Sequence, residues 1–329
     1  MLYMNIKKTS ALFLDKASVC PDDLDFSALE AVASWQWFDN VDPADIRHSL
    51  ESADILVSNK VVINSEVIEH SPRLKLICVA ATGVNNVDLS AAEQAGIQVC
   101  NVRAYATSSV VQHVFSLILA LNRKLFTYKT SASNGDWSHS DYFCYFGEPI
   151  SELEGKTIGI IGYGELGQAV AKVARCFGMK VVLAKKHNTG EGADQGEGRV
   201  DLETLLSLSD VVTLHCPLTP DNHHLISSEA FSMMKPDAIL VNTARGGLVD
   251  EQALLQALEE NHIAGAGLDV LEEEPPSMHN ALLSYQSEKL IVTPHIAWAS
   301  RQSRQRLVNE IAENIRAYQQ GRPRNLVRS

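Results

Sequence analysis

No stretch of this sequence is apolar for long enough to cross a bilayer. The longest candidate, Val110 to Leu121, is interrupted by Gln112 and His113 and falls short of the roughly 20 residues that a spanning helix needs. Runs of basic residues are absent as well, and the net charge is −12. Nucleic acid and anionic membrane surfaces are therefore poor partners for this chain. The six cysteines (Cys20, Cys78, Cys100, Cys144, Cys176 and Cys216) form no CxxC pair and no metal-ligand spacing. Several lie inside apolar runs, where a thiol behaves as a small hydrophobe. The first residues lack the apolar core of a signal peptide. These absences together predict a cytoplasmic protein without disulfides. No repeat of solenoid period is visible either.

What is present suits a globular protein of two domains. Hydrophobic residues make up 45% and charged residues 21% of 329 positions, enough to bury full cores. In the first hundred residues, strand-like runs (Ala11–Asp15, Trp35–Asp39, Asp54–Ser58, Leu74–Ala80, Ile97–Asn101) alternate with helical patterns (Asp25–Ala33, Pro43–Leu50, Ser65–Glu69, Asp88–Ala95). Such alternation predicts a parallel sheet covered by helices on both faces. Ser90-x-x-Glu93 reads as a capping box. A long amphipathic helix is predicted from Ser109 to Leu125. The segment Lys129 to Ile150 then loses periodicity and carries Trp137, Tyr142, Phe143, Tyr145 and Phe146. Aromatic residues in so long a loop suggest burial against a partner.

A second βα series starts at Lys156. Its strands are Thr157–Gly162, Lys180–Ala184, Asp210–His215, Ala238–Asn242, Ala264–Asp269 and Leu290–Thr293. After the first of these comes Gly162-Tyr163-Gly164-Glu165-Leu166-Gly167, which opens an Ala/Val-rich helix and is a dinucleotide-binding fingerprint. Gly162 allows the tight turn, Gly164 the approach of a pyrophosphate to the helix N-terminus, and Gly167 close packing of helix on strand. Six strands with the glycine loop after the first make a complete doubly wound fold. The last helix, Arg301 to Gln320, has no strand left to serve here, so it is expected to return to the first domain.

Three strand-end segments carry candidate chemistry. Asn242-Thr243-Ala244-Arg245-Gly246-Gly247 puts an Arg where α/β sheets bind ligands, and an Arg there can hold a carboxylate bidentately. The second is Gly267-Leu268-Asp269 running into Glu272-Glu273-Glu274-Pro275. The third is Thr293-Pro294-His295-Ile296-Ala297-Trp298. In their order and spacing, with the glycine loop, Ala80-Ala81-Thr82-Gly83 through Asp88, and His215-Cys216-Pro217-Leu218-Thr219, they resemble the D-isomer-specific 2-hydroxyacid dehydrogenases over about residues 50 to 320. Within that family the likeness is nearest to the glycerate dehydrogenase, or hydroxypyruvate reductase, subgroup.

The resemblance implies two doubly wound parallel-sheet α/β domains. A flavodoxin-like substrate domain (1–103 plus 300–329) would be interrupted by a Rossmann cofactor domain (104–299), with a dimerisation arm at about 125–150 and the substrate in the cleft between domains. It implies that His295 is the acid–base residue, Glu274 its partner, and Arg245 the group that polarises the substrate carbonyl and holds its carboxylate. Thr82 and Gly83 are implied as further carboxylate donors, and Trp298 as a residue at the substrate mouth. Thr107, Gly162, Gly164, Glu165, Leu166, Gly167, Lys185, Cys216, Pro217, Thr243, Ala244 and Asp269 fall at cofactor positions. The function so implied is reduction of a small 2-keto acid, hydroxypyruvate or glyoxylate, by a homodimer using a nicotinamide cofactor. The alternatives are a corepressor-like NAD(P)-sensing binding protein, or a phosphoglycerate or formate dehydrogenase of the same fold.

One position departs from the usual pattern. NAD-binding domains place an acid at the end of the second strand, for the ribose hydroxyls. Here that place falls on Lys185, followed by Lys186. A lysine attracts a 2′-phosphate, so NADP(H) is expected over NAD(H), although Glu191, Asp194 and Glu197 follow in the next loop. His223-His224 has no carboxylate or cysteine at ligand spacing, so a polar turn after Pro220 is expected there, and no metal.

Overall fold

The computed structural model describes residues 9–20, 22–185 and 198–328. The chain divides into two compact units, Met1–Ala106 with Trp298–Ser329, and Thr107–Ala297. Among the described residues, thirteen strands run in chain order: β1 (Ser10–Phe13), β2 (Ser34–Trp37), β3 (Ile55–Ser58), β4 (Leu76–Val79), β5 (Gln98–Cys100), β6 (Thr157–Ile161), β7 (Lys180–Ala184), β8 (Arg199–Val200), β9 (Val211–Leu214), β10 (Ile239–Asn242), β11 (Gly265–Leu268), β12 (Leu290–Val292) and β13 (Leu326–Val327). Both units are α/β, with mainly parallel sheets. The two-residue strands β8 and β13 carry no periodicity from which to predict them.

The first unit holds the sheet β13-β5-β4-β3-β1-β2. All its pairings are parallel except β13 with β5. β3 and β4 are buried along their whole length, as strands covered on both faces must be. The C-terminal helix Arg301–Gln319 packs on β4 and on the helix Ser27–Glu30, burying Leu307, Val308, Ile311, Ala312 and Ile315. Arg304 locks it in place with a two-pronged grip on Asp23, Nη1 to Oδ1 at 2.6 Å and Nη2 to Oδ2 at 2.7 Å. That grip, with the Arg304 charge, holds the Asp23 carboxyl below the usual range. The side chain of Asn314 donates to the Asn101 carbonyl at 2.9 Å and accepts from Asn325 at 3.0 Å, which brings β13 to the sheet edge. One local expectation is corrected. The helix Leu89–Gln94 is capped not by a Ser90–Glu93 box but by Asp88, whose carboxylate accepts from Ala91 N at 2.9 Å, because an aspartate in extended conformation one residue before the first turn outcompetes a serine inside it.

The order of this sheet reverses direction between β1 and β3, the place where doubly wound folds bind ligands. Here the protein fills the place itself. Asp15, 2% exposed, accepts from Asn59 N at 2.9 Å, Lys60 N at 2.6 Å and Val61 N at 3.1 Å. Three successive N–H groups after β3 form an anion nest, and the anion is a side chain.

The second unit holds a seven-stranded, wholly parallel sheet, β12-β11-β10-β9-β6-β7-β8. Its reversal lies between β6 and β9. The helix Thr107–Asn122 buries Val110, Val111, Val114, Phe115, Leu117, Ile118 and Leu121 against the helix Glu165–Cys176 and strands β10 and β11. The segment predicted to lose periodicity from Lys129 is helical over Leu125–Ser133. Lys124 adopts φ +51°, which ends the first helix and starts a new one, so the two do not share one periodic stripe. Beyond it Trp137, Tyr142, Phe143 and Phe146 are exposed.

Replacing Asp15 by alanine removes the acceptor of three successive backbone donors. The predicted outcome is a loss of about 2–4 kcal/mol of unfolding free energy, measured by urea denaturation, with a smaller loss in Asp15→Asn. A loss below about 0.5 kcal/mol would show that the nest is structurally idle.

Candidate active site

The predicted residues follow six adjacent strands of the second unit in a row, and a seventh strand adds Arg199. Along the sheet order come His295 after β12, Asp269 to Glu274 after β11, Arg245 after β10, His215 and Cys216 after β9, Gly162 after β6, Lys185 after β7, and Arg199 in β8. All strands are parallel, so all these groups lie at the carboxyl edge.

At the β12 end, the backbone is bent to present one side chain. His295 has φ +52°, a conformation that costs a non-glycine residue about 1–2 kcal/mol and must be held by its surroundings. Asp269 does the holding. It is 1% exposed; its Oδ1 accepts from Thr293 Oγ1 at 2.6 Å and Ile296 N at 2.9 Å, and its Oδ2 from Ala297 N at 2.8 Å. Its carbonyl accepts from His295 N at 2.8 Å. His113, on the helix Thr107–Asn122, reaches Thr293 Oγ1 at 2.9 Å and lies 3.4 Å from Asp269 Oδ1. The Asp269 carboxylate is thus engaged with the turn that carries His295. His113 belongs to no motif in the sequence; its only signal there is a polar residue on the apolar stripe of its helix.

His295 Nδ1 lies 2.6 Å from Glu274 Oε2. Glu274 Oε1 also accepts from Leu271 N at 3.0 Å, which fixes the carboxylate from behind. The carboxylate thus fixes the orientation of the imidazole through Nδ1. About a third of each side chain is exposed, 31% for His295 and 35% for Glu274, so the pair is reachable.

At the β10 end, the fully buried Asn242 clamps the next turn: Oδ1 accepts from Ala244 N at 3.0 Å and Nδ2 donates to the Arg245 carbonyl at 2.8 Å. Arg245 is left exposed, with Nη1 donating to the Ala244 carbonyl at 2.7 Å. A methyl group on Gly246 would come within 1.9 Å of Leu271 C, so the Arg245 turn packs directly on the loop leading to Glu274. The edge therefore offers a guanidinium and a carboxylate-held imidazole. That combination suits a carbonyl that gains negative charge beside a carboxylate.

The glycine loop is shaped for a dinucleotide. Gly162 has φ +95°, and a side chain there would strike His215 and Cys216 backbone at 2.5–2.6 Å. One on Gly167 would strike the Gly162 carbonyl at 2.1 Å. Beside Gly164, by contrast, there is open space, and no side chain caps the helix Glu165–Cys176 that it begins. The N-terminus of that helix is free to receive phosphate. Further along the edge, Thr243 Oγ1 is enclosed without a hydrogen-bond partner, and the Cys216 thiol is pushed up by burial. These features could hold a nicotinamide dinucleotide, with Gly162, Gly164, Leu166 and Gly167 as candidates for the phosphates, Cys216, Pro217, Thr243 and Ala244 as candidates for the reacting end, and Lys185 as a candidate for the ribose. Glu165 is held by Thr107 Oγ1, its hydrogen-bond partner. Lys185 is exposed at the end of β7, its N–H donating to the Val200 carbonyl at 2.8 Å. Arg199, a cation missed in the sequence, lies beside it: Nη1 donates to the Ala184 carbonyl at 3.1 Å, and the guanidinium lies 5.9 Å from the Tyr163 ring centre. Lys186, Glu191, Asp194 and Glu197 lie outside the described residues.

Thr82, Gly83 and Trp298 belong to the first unit. The Thr82 carbonyl accepts from Asn101 at 2.7 Å and its hydroxyl donates to the Val102 carbonyl at 2.9 Å. Trp298 meets Tyr105 edge-on at 6.3 Å. His223 and His224 do acquire a carboxylate, Glu272, at 3.1 Å and 3.3 Å. It comes from 48 and 49 residues away, beyond what ligand spacing in sequence can reveal.

Fold and edge together define a nicotinamide-dependent dehydrogenase of 2-hydroxy acids. Residues 115–297 match the model for the NAD-binding domain of D-isomer-specific 2-hydroxyacid dehydrogenases. The chain is 47% identical over 285 residues to a glycerate dehydrogenase from Methylorubrum extorquens, covering 87% of this chain and 88% of that protein. It is 37% identical over 317 residues to a hydroxypyruvate reductase from Blautia hydrogenotrophica, covering 95% and 98%. Among solved structures, an acyclic imino acid reductase in complex with NADPH and D-Arg superposes with a TM-score of 0.84 at 31% identity, over 97% of this chain and all of that one. The chain belongs to the D-isomer-specific 2-hydroxyacid dehydrogenases.

His215 gives this edge a pH signature. Its Nδ1 is enclosed without a partner, while Nε2 lies 2.9 Å from Thr213 Oγ1. Burial pushes the imidazole down to about 4. A histidine depressed on folding contributes stability above its ordinary value near 6.5, and that stability is lost as pH falls from 6.5 to 4. The shift corresponds to about 3 kcal/mol. We predict that His215→Asn loses about that much less stability than the wild type between pH 7 and pH 4, compared by denaturant titration at both pH values. Equal losses would contradict the assignment.

Proposed function

We propose that this enzyme reduces hydroxypyruvate or glyoxylate to the corresponding 2-hydroxy acid, with NADPH preferred over NADH. The observation that carries the reading is the carboxyl edge of the second sheet, where Arg245, Glu274 and His295 follow three adjacent strands. The names of the glycerate dehydrogenase and hydroxypyruvate reductase relatives support the substrate.

A nicotinamide bound at the glycine loop would supply the hydride for C2 of the keto acid. The protein supplies the rest. Arg245 pairs with the substrate carboxylate and draws negative charge onto the carbonyl oxygen. Backbone N–H groups of Thr82 and Gly83 are proposed as further donors to that carboxylate, and Trp298 as a wall at the substrate mouth. Protonated His295 delivers the proton from Nε2 to the C2 oxygen while Glu274 keeps Nδ1 bonded and the ring aligned. Keto acid, reduced cofactor and one proton thus become hydroxy acid and oxidised cofactor. Asp269 acts at the reacting end through the turn that sets His295.

The NADPH preference is supported by two cations at the far end of the row, Lys185 and Arg199, and by the NADPH in the imino acid reductase complex. Asp201 opposes them in part: Thr204, whose N–H donates to it, holds its carboxyl below the usual range, and Lys185 adds to the effect. We further propose a homodimer that covers the exposed aromatic residues of the 134–150 segment, and a reducing cytoplasm, in keeping with six free thiols.

The decisive measurement is kcat/KM for a panel of 2-keto acids with each cofactor. Hydroxypyruvate or glyoxylate with NADPH is expected to lead; turnover of none of the acids would remove the reading, and a lead for NADH would remove the cofactor preference. His295→Asn is expected to lower kcat by about 10²–10⁴-fold. Arg245→Ala is expected to lower kcat/KM by at least about 10²-fold. In Lys185→Glu the NADPH-to-NADH ratio of kcat/KM should drop by about tenfold or more, a change of about 1.4 kcal/mol.

A further inference from the structure

We propose that His223, His224 and Glu272 form a site for a divalent transition-metal ion of the zinc class, separate from the catalytic edge residues. Adjacent side chains on an extended backbone point to opposite faces. These two do not, because His224 is held at φ +52°, and the two rings stack with centres 3.9 Å apart and planes inclined by 29°. The hold is built into the chain. Asn222, at the end of the short turn after Pro220, accepts from Thr219 N at 2.7 Å and donates to the Pro217 carbonyl at 2.8 Å, and His224 N donates to the Gly247 carbonyl at 2.8 Å.

Both imidazoles face one carboxylate. Glu272 Oε1 lies 3.1 Å from His223 Nε2 and 3.3 Å from His224 Nε2, and the candidate ligand atoms of the three residues all lie within 4.8 Å of one another. Zinc bonds to imidazole nitrogen and carboxylate oxygen of about 2.0–2.2 Å imply ligand–ligand edges near 3.3 Å in a tetrahedron. The two measured edges have that length before any ion enters. A second carboxylate lies near the other nitrogen of His224, Nδ1 to Asp250 Oδ2 at 3.8 Å, within ion-pair range though beyond hydrogen-bond reach. Glu272 is braced in turn, its N–H donating to Glu251 Oε1 at 2.8 Å, and Glu251 Oε2 accepting from Asn280 at 2.9 Å. The ligand side chains are 34–48% exposed, so an ion can enter and keep water in its fourth position. Two nitrogens and one oxygen select zinc, nickel, copper or cobalt over magnesium and calcium. The ion would tie the turn after Pro220 to the loop in which Glu274 follows two residues later. The same distances would also serve two imidazole–carboxylate hydrogen bonds without an ion, and the experiment separates the two.

The full chain, untagged and stripped with chelator, is titrated with ZnCl2 by calorimetry, and in parallel with CoCl2 by visible absorption. The expected result is saturable binding of one ion per chain, a cobalt spectrum of tetrahedral intensity, no competition by MgCl2, and a Tm that rises with zinc. In His223→Gln and His224→Gln binding should weaken by at least about tenfold and the zinc-dependent rise in Tm should vanish, while the Tm in chelator stays near that of the wild type. Should either variant fail to fold, Glu272→Gln carries the same comparison. Absence of saturable binding up to about 1 mM zinc, or equal affinity in wild type and variants, overturns the proposal and leaves the reductase reading untouched.

Discussion

The buried carboxylate of Asp269 is the interaction on which the reacting end depends. A carboxylate removed from water must be matched by donors or it costs several kcal/mol. Here the donors are Thr293 Oγ1, Ile296 N and Ala297 N, with His113 close by. Satisfying the charge forces the chain after β12 to wrap around one point. His295 sits inside that wrap, at a left-handed φ that no local propensity would choose. The strain is therefore sustained by an electrostatic demand at the end of the neighbouring strand, and the imidazole is aimed before any substrate arrives. Preorganisation of this kind is what makes a proton donor effective.

The order of the second sheet turns one-dimensional spacing into a division of labour. The residues proposed for acid–base, carboxylate-binding, phosphate-binding and ribose-end roles come from loops that are far apart in sequence. They become a row because the strands are parallel and neighbours stand about 4.8 Å apart. Tight joints keep the row in register. A side chain at Gly246 or Gly162 would collide with the backbone of the adjoining loop, so the Arg245 turn cannot drift from the Glu274 loop, nor the phosphate loop from His215.

Much of this was legible in the sequence because it depends on local pattern. Buried parallel strands write themselves as apolar runs, as β3 and β4 do, and the glycine loop has a fixed relation to its strand and helix. The proposed catalytic edge rests on family motifs rather than on local physics: nothing in a lone Glu274 or His295 announces a hydrogen bond across 21 residues. What escaped was set by tertiary contact. β8 and β13 are two residues long and exist only because β7 and β5 offer an edge. Asp88 displaced Ser90 as a cap through backbone conformation. Arg199 and His113 are ordinary residues by type, and only the neighbouring chain makes Arg199 a cation beside Lys185 and His113 a member of the Asp269 cluster. The His223–His224 pair was visible, yet its carboxylate comes from a loop beyond two further strands.

The two doubly wound units show how one topology yields different capacities. Each reverses its strand order beside its first strand, and each therefore has a crevice at the carboxyl ends of two neighbouring strands. In the first unit Asp15 follows β1 and fills that crevice with its own carboxylate, satisfying the three N–H groups that an anion would need. In the second unit the equivalent place after β6 is Gly162, which has no side chain to offer, and the helix N-terminus beyond Gly164 stays open. The two crevices are thus used differently. An acid after β1 takes the N–H groups that follow β3 and anchors the fold, whereas a glycine after β6 leaves the helix N-terminus that follows it open.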